Sequence, residues 1–177
     1  MSNLKDSGVL VNIDDNGICR IKLVGDLRYD SSAKGFIEFV NTKLTDEKIS
    51  DIIIDTQDCD YIDSTNVGIL GQIARIQTQK GAKKPVIFYK EPSKIYNAIN
   101  DVDINTLYDV HFCGGGKCAY DWYENDDYKN LPKEEATKQE ISEIMLEMHK
   151  VLHGLSDGNQ IKFESVVEQL KKDSRRK

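Results

Sequence analysis

The residues best suited to chemistry stand together in one short segment, Asp63-Ser64-Thr65-Asn66. The segment follows a buried-type apolar run and an acidic stretch, and a helical apolar pattern begins directly after it. It therefore lies at the N-terminus of a helix, where free backbone N–H groups prefer an oxygen acceptor. Asp63 or Ser64 is expected to cap this helix. Because the same N–H groups favour an anion, Ser64 is also a candidate phosphorylation site, with Asp63 orienting its hydroxyl.

A serine nucleophile could instead belong to a hydrolase, which needs a base beside it. The segment lacks the Gly-x-Ser-x-Gly pattern of a nucleophile elbow, and the chain has histidines only at positions 111, 149 and 153. His149 and His153 are four residues apart but lack the glutamate of a zinc-helix motif, so both are expected to be surface residues. The sequence therefore predicts no catalytic residue and no enzyme activity.

Cysteine and histidine residues could also bind a metal ion. The candidate ligands are His111, Cys113, Cys118 and Cys59. Cys-x4-Cys is not a common zinc-finger spacing, and Cys113-Gly-Gly-Gly-Lys-Cys118 is more typical of a flexible loop with mostly reduced thiols. We therefore predict neither a metal nor another cofactor.

The elements that must position Ser64 follow from apolar periodicity. Alternating residues at 9–13 and 19–23 predict a β-hairpin, and apolar runs at 51–55 and 86–89 predict strands buried on both faces. Helices are predicted over 33–44, around the apolar stripe 67–77 with an end near Gly81, and over 93–99, with an edge strand over 107–112. The alternation of strands and helices is the pattern of right-handed crossover units in a parallel sheet.

A different organisation is predicted after residue 112. Residues 113–132 are glycine-rich, acidic and turn-rich, and are expected to form a linker. Two apolar stripes then predict a pair of helices, the first over Ile141–Leu155 and the second over Phe163–Leu170. The first stripe must be covered by its own second helix, the open face of the sheet or a second molecule, so these helices are a candidate homodimer interface. The expected units are 1–112, 113–132 and 133–177.

The overall composition limits the function classes. The 177 residues carry 24 basic and 30 acidic side chains, a net charge of −6, which disfavours nucleic acid and anionic membranes as partners. No apolar run reaches the roughly 20 residues that span a bilayer, and the first seven residues lack the apolar stretch of a secretory signal. We therefore expect a cytoplasmic protein.

The segment Ile62-Asp-Ser-Thr-Asn-Val-Gly-Ile-Leu-Gly71 resembles the phosphorylation loop and following helix of STAS-domain anti-sigma factor antagonists, with their Asp-Ser-Ser/Thr-x-x-Gly motif. Gly25-Asp-Leu is similar to the Gly-x-Leu-Asp turn of that family, and the element order from Val9 to Phe112 is similar as well. Arg28 stands where the turn usually has aspartate, and Asn66 where many members have glycine. The paired helices resemble an extension found in one bacterial subgroup.

The resemblance implies a fold and a function. The fold is an α/β, STAS-like mixed sheet of four to five strands with covering helices, plus a C-terminal two-helix extension. The function is partner switching. The unphosphorylated protein binds an anti-sigma factor that is also a GHKL-type serine kinase, and this frees a sigma factor or another target. Phosphorylation ends the binding, and a PP2C-type phosphatase restores it. The alternative is a STAS-type module that senses a small molecule or a metal.

The resemblance also assigns roles to individual residues. Ser64 is the phosphorylated residue. Support for the phosphorylation loop is expected from Asp63, Thr65, Asn66 and Gly68. The partner surface is expected on the turn Gly25–Asp30, the loop Asp58–Ser64 and the exposed side of the helix beginning at Asn66. Its expected residues are Asp26, Leu27, Arg28, Asp60, Ser64 and Asn66.

Overall fold

A computed structural model describes residues 7–114 and 127–176. The strands are β1 (Gly8–Ile13), β2 (Ile18–Leu27), β3 (Asp51–Ile62), β4 (Val86–Lys90), β5 (Asp109–Cys113) and β6 (Lys129–Asn130). The helices are α1 (Ala33–Lys43), α2 (Ser64–Gln79), α3 (Lys94–Asn100), α4 (Lys138–His153) and α5 (Asp157–Arg175). A short 3₁₀ turn covers Ile104–Leu107.

The strands form one mixed sheet in the order β5-β4-β3-β2-β1-β6. β1 is antiparallel to β2 and to β6, whereas β2, β3, β4 and β5 run parallel to one another. A helix joins each consecutive parallel pair, as parallel strands require. The predicted mixed α/β fold with two C-terminal helices is confirmed, and the described residues form six strands where four to five were expected.

Strands β2 and β3 continue further than their apolar patterns predict. Residues 58–62 were expected in a loop, yet they pair with β2 as far as Ile62. Two irregularities in the register allow this pairing, one of them after Gly25. Gly25 has φ +64°, and a Cβ atom there would lie 2.5 Å from Ser7 Oγ, so only glycine fits. The extended β2–β3 pair therefore carries residues 58–62 to the C-terminal end of the parallel strands.

The predicted linker contains part of the sheet. Lys129 and Asn130 form β6 beside β1, and the Leu131 N–H donates to the Val9 carbonyl at 2.9 Å. Cys113 ends β5 in a disulfide bond, which differs from the expectation of reduced thiols. Cys118 and the remainder of 115–126 lie outside the described residues.

Helices α4 and α5 pack against each other as a hairpin, and α4 also crosses α2. A capping box starts α4, in which Thr137 and Glu140 each bond to the backbone of the other. Met148 and Leu152, from the predicted stripe, are buried. One of the three expected partners, the second helix, therefore covers the stripe, together with α2, which was not among them.

Polar contacts fix the hairpin at both ends of α4. Lys34 of α1 pairs with Glu140 at 3.1 Å. At the far end, the Ser156 hydroxyl donates to the Asp103 carboxylate at 2.6 Å, and the Asn159 side chain donates to the Val102 carbonyl at 2.8 Å. The extension is thus held against the sheet domain along its length.

Gly68 is the point of closest approach between α2 and α4. A Cβ atom at this position would lie 2.7 Å from both Cβ and the carbonyl oxygen of Met148, so α4 would have to shift. We expect Gly68→Ala to loosen the hairpin by about 1–3 kcal/mol, partly offset by the better helix propensity of alanine. Hydrogen exchange should therefore speed up in α4 while the β-sheet remains protected.

Gly154→Ala is the matched control, because a Cβ atom at position 154 would meet its nearest neighbour at an ordinary 3.5 Å. It should leave exchange in α4 unchanged. Equal exchange in α4 of the Gly68→Ala and unsubstituted proteins would show that the two helices do not pack this closely.

Candidate phosphorylation site

Asp63 holds the loop together rather than orienting the Ser64 hydroxyl. It is the N-cap of α2, and its Oδ1 accepts from the backbone N–H and the side-chain amide of Asn66, both at 3.0 Å. Its Oδ2 accepts from the Tyr29 backbone N–H at 2.5 Å. The carboxylate thus joins the start of α2 to the turn after β2, and both oxygens are occupied by these contacts.

Asn66 extends this hydrogen-bonded frame, formed by Asp63, Asn66, Tyr29 and Ser32, into the protein interior. Its side chain is fully buried, and its Oδ1 accepts from the Ser32 hydroxyl at 3.2 Å. It supports the loop, as the resemblance implies, but it offers no atom to a partner in this arrangement. The expected role of Asn66 in direct partner binding therefore does not fit its position.

The two hydroxyl residues at the start of α2 differ in their exposure to solvent. Ser64, the first residue of α2, is exposed, whereas Thr65 is only 2% exposed. Of these two neighbouring residues, only Ser64 is therefore accessible from solvent. Gly68, expected to support the loop, lies one turn further along α2 beneath Met148.

His149 of α4 contacts the candidate phosphorylation site, which the sequence did not predict. Its Nε2 lies 2.9 Å from Ser64 Oγ, and its Nδ1 lies 2.7 Å from the Met145 carbonyl oxygen. The ring is 4% exposed and meets Phe163 of α5 edge-on, with centroids 5.8 Å apart. The expectation that His149 is a surface residue is wrong, because α4 turns this position toward α2.

The helical spacing of the apolar residues in Ile141–Leu155 already indicated that position 149 is buried. Position 149 is four residues after Met145 and three before Leu152, so it shares their face of the helix. His153, one turn later, is partly exposed, and its Nε2 lies 3.4 Å from Glu164 Oε2. Helical spacing could have placed His149 inside the protein, but not opposite Ser64.

Ser64 and His149 form a hydroxyl–imidazole pair, the contact found between a nucleophile and its base. The sequence predicted no base near Ser64, and in this respect the prediction needs correction. In a hydrolase triad a carboxylate orients the imidazole, but here a main-chain carbonyl does so. The pair can exchange a proton and can hold α4 against α2.

The predicted partner-binding residues fall into two groups. Asp26, Arg28 and Asp60 are wholly or largely at the surface, with Arg28 bonded to Asp26 at 3.1 Å and stacked 4.5 Å from the ring centroid of Tyr61. Leu27 is fully buried and belongs to the core. The exposed side of α2 is also largely lost to partners, because eleven of its sixteen residues are buried.

The acidic run before the site carries less free charge than its sequence suggests. Asp55 is 4% exposed and accepts from Gln57, and Asp58 pairs with Lys22 at 3.0 Å. Asp60 is the exposed acidic residue of the run between these positions and Asp63. A negatively charged group added at this surface would therefore be repelled mainly by Asp60 and Asp63.

The described candidates for metal ligation, His111, Cys113 and Cys59, do not form a metal-binding group, and Cys118 lies outside the described residues. No group of three or more histidine, cysteine, aspartate or glutamate side chains suited to a metal ion occurs within 7–114 and 127–176. Cys113 is in a disulfide, and burial raises the pKa of the Cys59 thiol to about 12. Both therefore lack the thiolate that a zinc site requires at neutral pH.

Comparison with solved structures finds a structural similarity to an anti-sigma factor antagonist. The structure of the anti-sigma factor antagonist SpoIIAA in its unphosphorylated form matches with a TM-score of 0.44 and 15% sequence identity, covering 52% of this chain and 80% of that one. No protein-family model and no curated protein matches the sequence. Within the part of the chain that the structure describes, no helix has the length and apolar character needed to cross a membrane.

Proposed function

We propose that this chain is a cytoplasmic, phosphorylation-controlled partner-switching regulator of the anti-sigma factor antagonist type. With Ser64 unphosphorylated, it binds an anti-sigma factor that is also a GHKL-type serine kinase, and so releases a sigma factor or another regulated target. Phosphorylation of Ser64 by that kinase ends the binding, and a PP2C-type phosphatase reverses the modification. The chain itself has no catalytic role in this cycle.

One observation carries the proposal. Ser64 is an exposed residue at a helix N-terminus, on a frame that Asp63 and Asn66 hold in place through side-chain and backbone hydrogen bonds, and its hydroxyl contacts His149 on one side. Such a terminus favours the negative charge of a phosphate. A kinase substrate needs this combination of access and fixed position.

The surface beside Ser64 has the composition of a protein-binding face. Tyr29 and Tyr61 expose more than two fifths of their surface, and Arg28 stacks on Tyr61. Tyrosine and arginine are enriched at interfaces because they contribute large contact areas with polar ends. With Asp26 and Asp60 they support a partner surface centred on the loop rather than on α2.

We expect the cognate kinase and ATP to modify Ser64 and not Thr65, because Thr65 is buried. Intact-mass measurement should show one phosphate per chain, and peptide mapping should place it on Ser64. Ser64→Ala should abolish the modification, while Thr65→Val, which keeps the buried shape, should leave it intact. Stoichiometric modification of the Ser64→Ala protein at Thr65 would contradict the assignment.

A further inference from the structure

The contact between Ser64 and His149 joins the candidate phosphorylation site to the C-terminal extension. The two residues are 85 positions apart in sequence, and their side chains meet at 2.9 Å between Oγ and Nε2. His149 is 4% exposed, so its ring is part of the packed contact between α4 and the sheet domain. A change at Ser64 therefore acts directly on the attachment of the extension.

The main-chain contact of His149 fixes how its ring bonds to Ser64. The Met145 carbonyl oxygen only accepts hydrogen bonds, so Nδ1, 2.7 Å away, carries a hydrogen. In the neutral ring Nε2 is then the lone-pair nitrogen, and the Ser64 hydroxyl donates to it.

Phosphorylation reverses the direction of this hydrogen bond. When the terminal phosphoryl group of a nucleoside triphosphate moves to Ser64, the Oγ–P bond forms, the bond to the leaving diphosphate breaks and the hydroxyl proton is released. The phosphate has only acceptor oxygens, which would face a lone pair on neutral Nε2. When Nε2 takes up a proton from solvent, both ring nitrogens donate, one to the Met145 carbonyl and the other to the phosphate.

We propose that His149 is a phosphoserine-binding residue, and that phosphorylation of Ser64 locks the α4–α5 hairpin against α2. The proposal rests on the proposed function, in which Ser64 is the modified residue. Hydrogen bonds between charged groups are about twice as strong as neutral ones, so the modified contact holds α4 more tightly than the unmodified contact does. Ser64 is exposed, so the phosphate has room on its solvent side.

The packing around His149 transmits this tightening to the whole hairpin. Phe163 of α5 contacts the ring, and the preceding residue, Met148, lies against Gly68. The locked hairpin keeps the central part of α2 covered. The phosphorylated protein would therefore withhold that face from a partner while changing charge at the loop.

The test installs phosphoserine at position 64 of the full chain by genetic code expansion, so that no kinase is needed. Imidazole ¹⁵N signals should show His149 doubly protonated in the phosphorylated protein and singly protonated in the unmodified one. Hydrogen exchange over residues 138–153 should slow by about tenfold or more, the effect of a charge-assisted bond. A singly protonated His149, or unchanged or faster exchange in α4, would overturn the proposal.

Matched variants on the same helix assign the effect to one residue. In the His149→Gln protein, phosphoserine at position 64 should no longer slow exchange in α4. In the His153→Gln protein, which changes the partly exposed histidine beside Glu164, the slowing should persist. If His149→Gln does not fold, the ¹⁵N measurement on the unsubstituted chain still decides.

The two proposals can be contradicted independently. The proposed function requires a kinase to modify Ser64, whereas the tightening of the α4–α5 hairpin is tested on protein that already carries phosphoserine at position 64.

Discussion

Substituting Leu152 with alanine is expected to lower the free energy of unfolding by about 2–5 kcal/mol. Leu152 is fully buried in the cluster that joins α4 to the sheet domain, so its truncation leaves a cavity as well as losing apolar contact. Urea denaturation should show the loss as a lower midpoint. Hydrogen exchange should show it first in α4 and α5, whose docking depends on this residue.

Ile161→Ala provides the control, because Ile161 of α5 is 82% exposed. Its truncation should change stability by no more than about 0.5 kcal/mol. If Leu152→Ala lowered the free energy of unfolding no more than Ile161→Ala does, the apolar stripe of α4 would not be packed against the domain. Something else would then have to cover the extension.

Phosphoserine at position 64 is expected to weaken binding of the partner kinase by more than about a hundredfold, which corresponds to about 3 kcal/mol. The phosphate adds about −1.5 to −2 charges next to Asp63 and near Asp60, and a docked partner would have to desolvate this charge. Calorimetric titration of the unmodified and phosphorylated chains with the kinase measures the difference.

Two further proteins test whether position matters. Ser64→Ala should bind about as well as the unmodified chain, because it adds no charge. Phosphoserine at Ser174, exposed near the end of α5, should also leave the affinity unchanged. Equal affinities for the Ser64-phosphorylated and unmodified chains would remove the switch from the proposed function.

Local patterns predicted most of the fold, because they record which face of an element is buried. The alternation at 9–13 and 19–23 predicted β1 and β2, and the stripe from Ile141 predicted α4. The cap of α2 was narrowed to Asp63 or Ser64, and Asp63 is the one that caps the helix.

The features that the sequence did not reveal all depend on long-range contact. Lys129 and Asn130 are two exposed polar residues, and only their pairing with β1 makes them a strand. Helix α2 accepts a second helix on its outer side because Gly68 leaves room for Met148, which a stripe on either helix alone does not show. His149 reaches Ser64 only once these two helices cross.

The short strand β6 has a consequence for competition at α2. It fastens the chain to β1, and only residues 131–137 separate it from the start of α4. A segment on so short a tether reaches its own docking face at an effective concentration in the millimolar range. Any free protein that binds the face beneath α4 must compete with this local concentration. Its apparent affinity equals its intrinsic affinity multiplied by the fraction of chains in which the tethered segment is undocked.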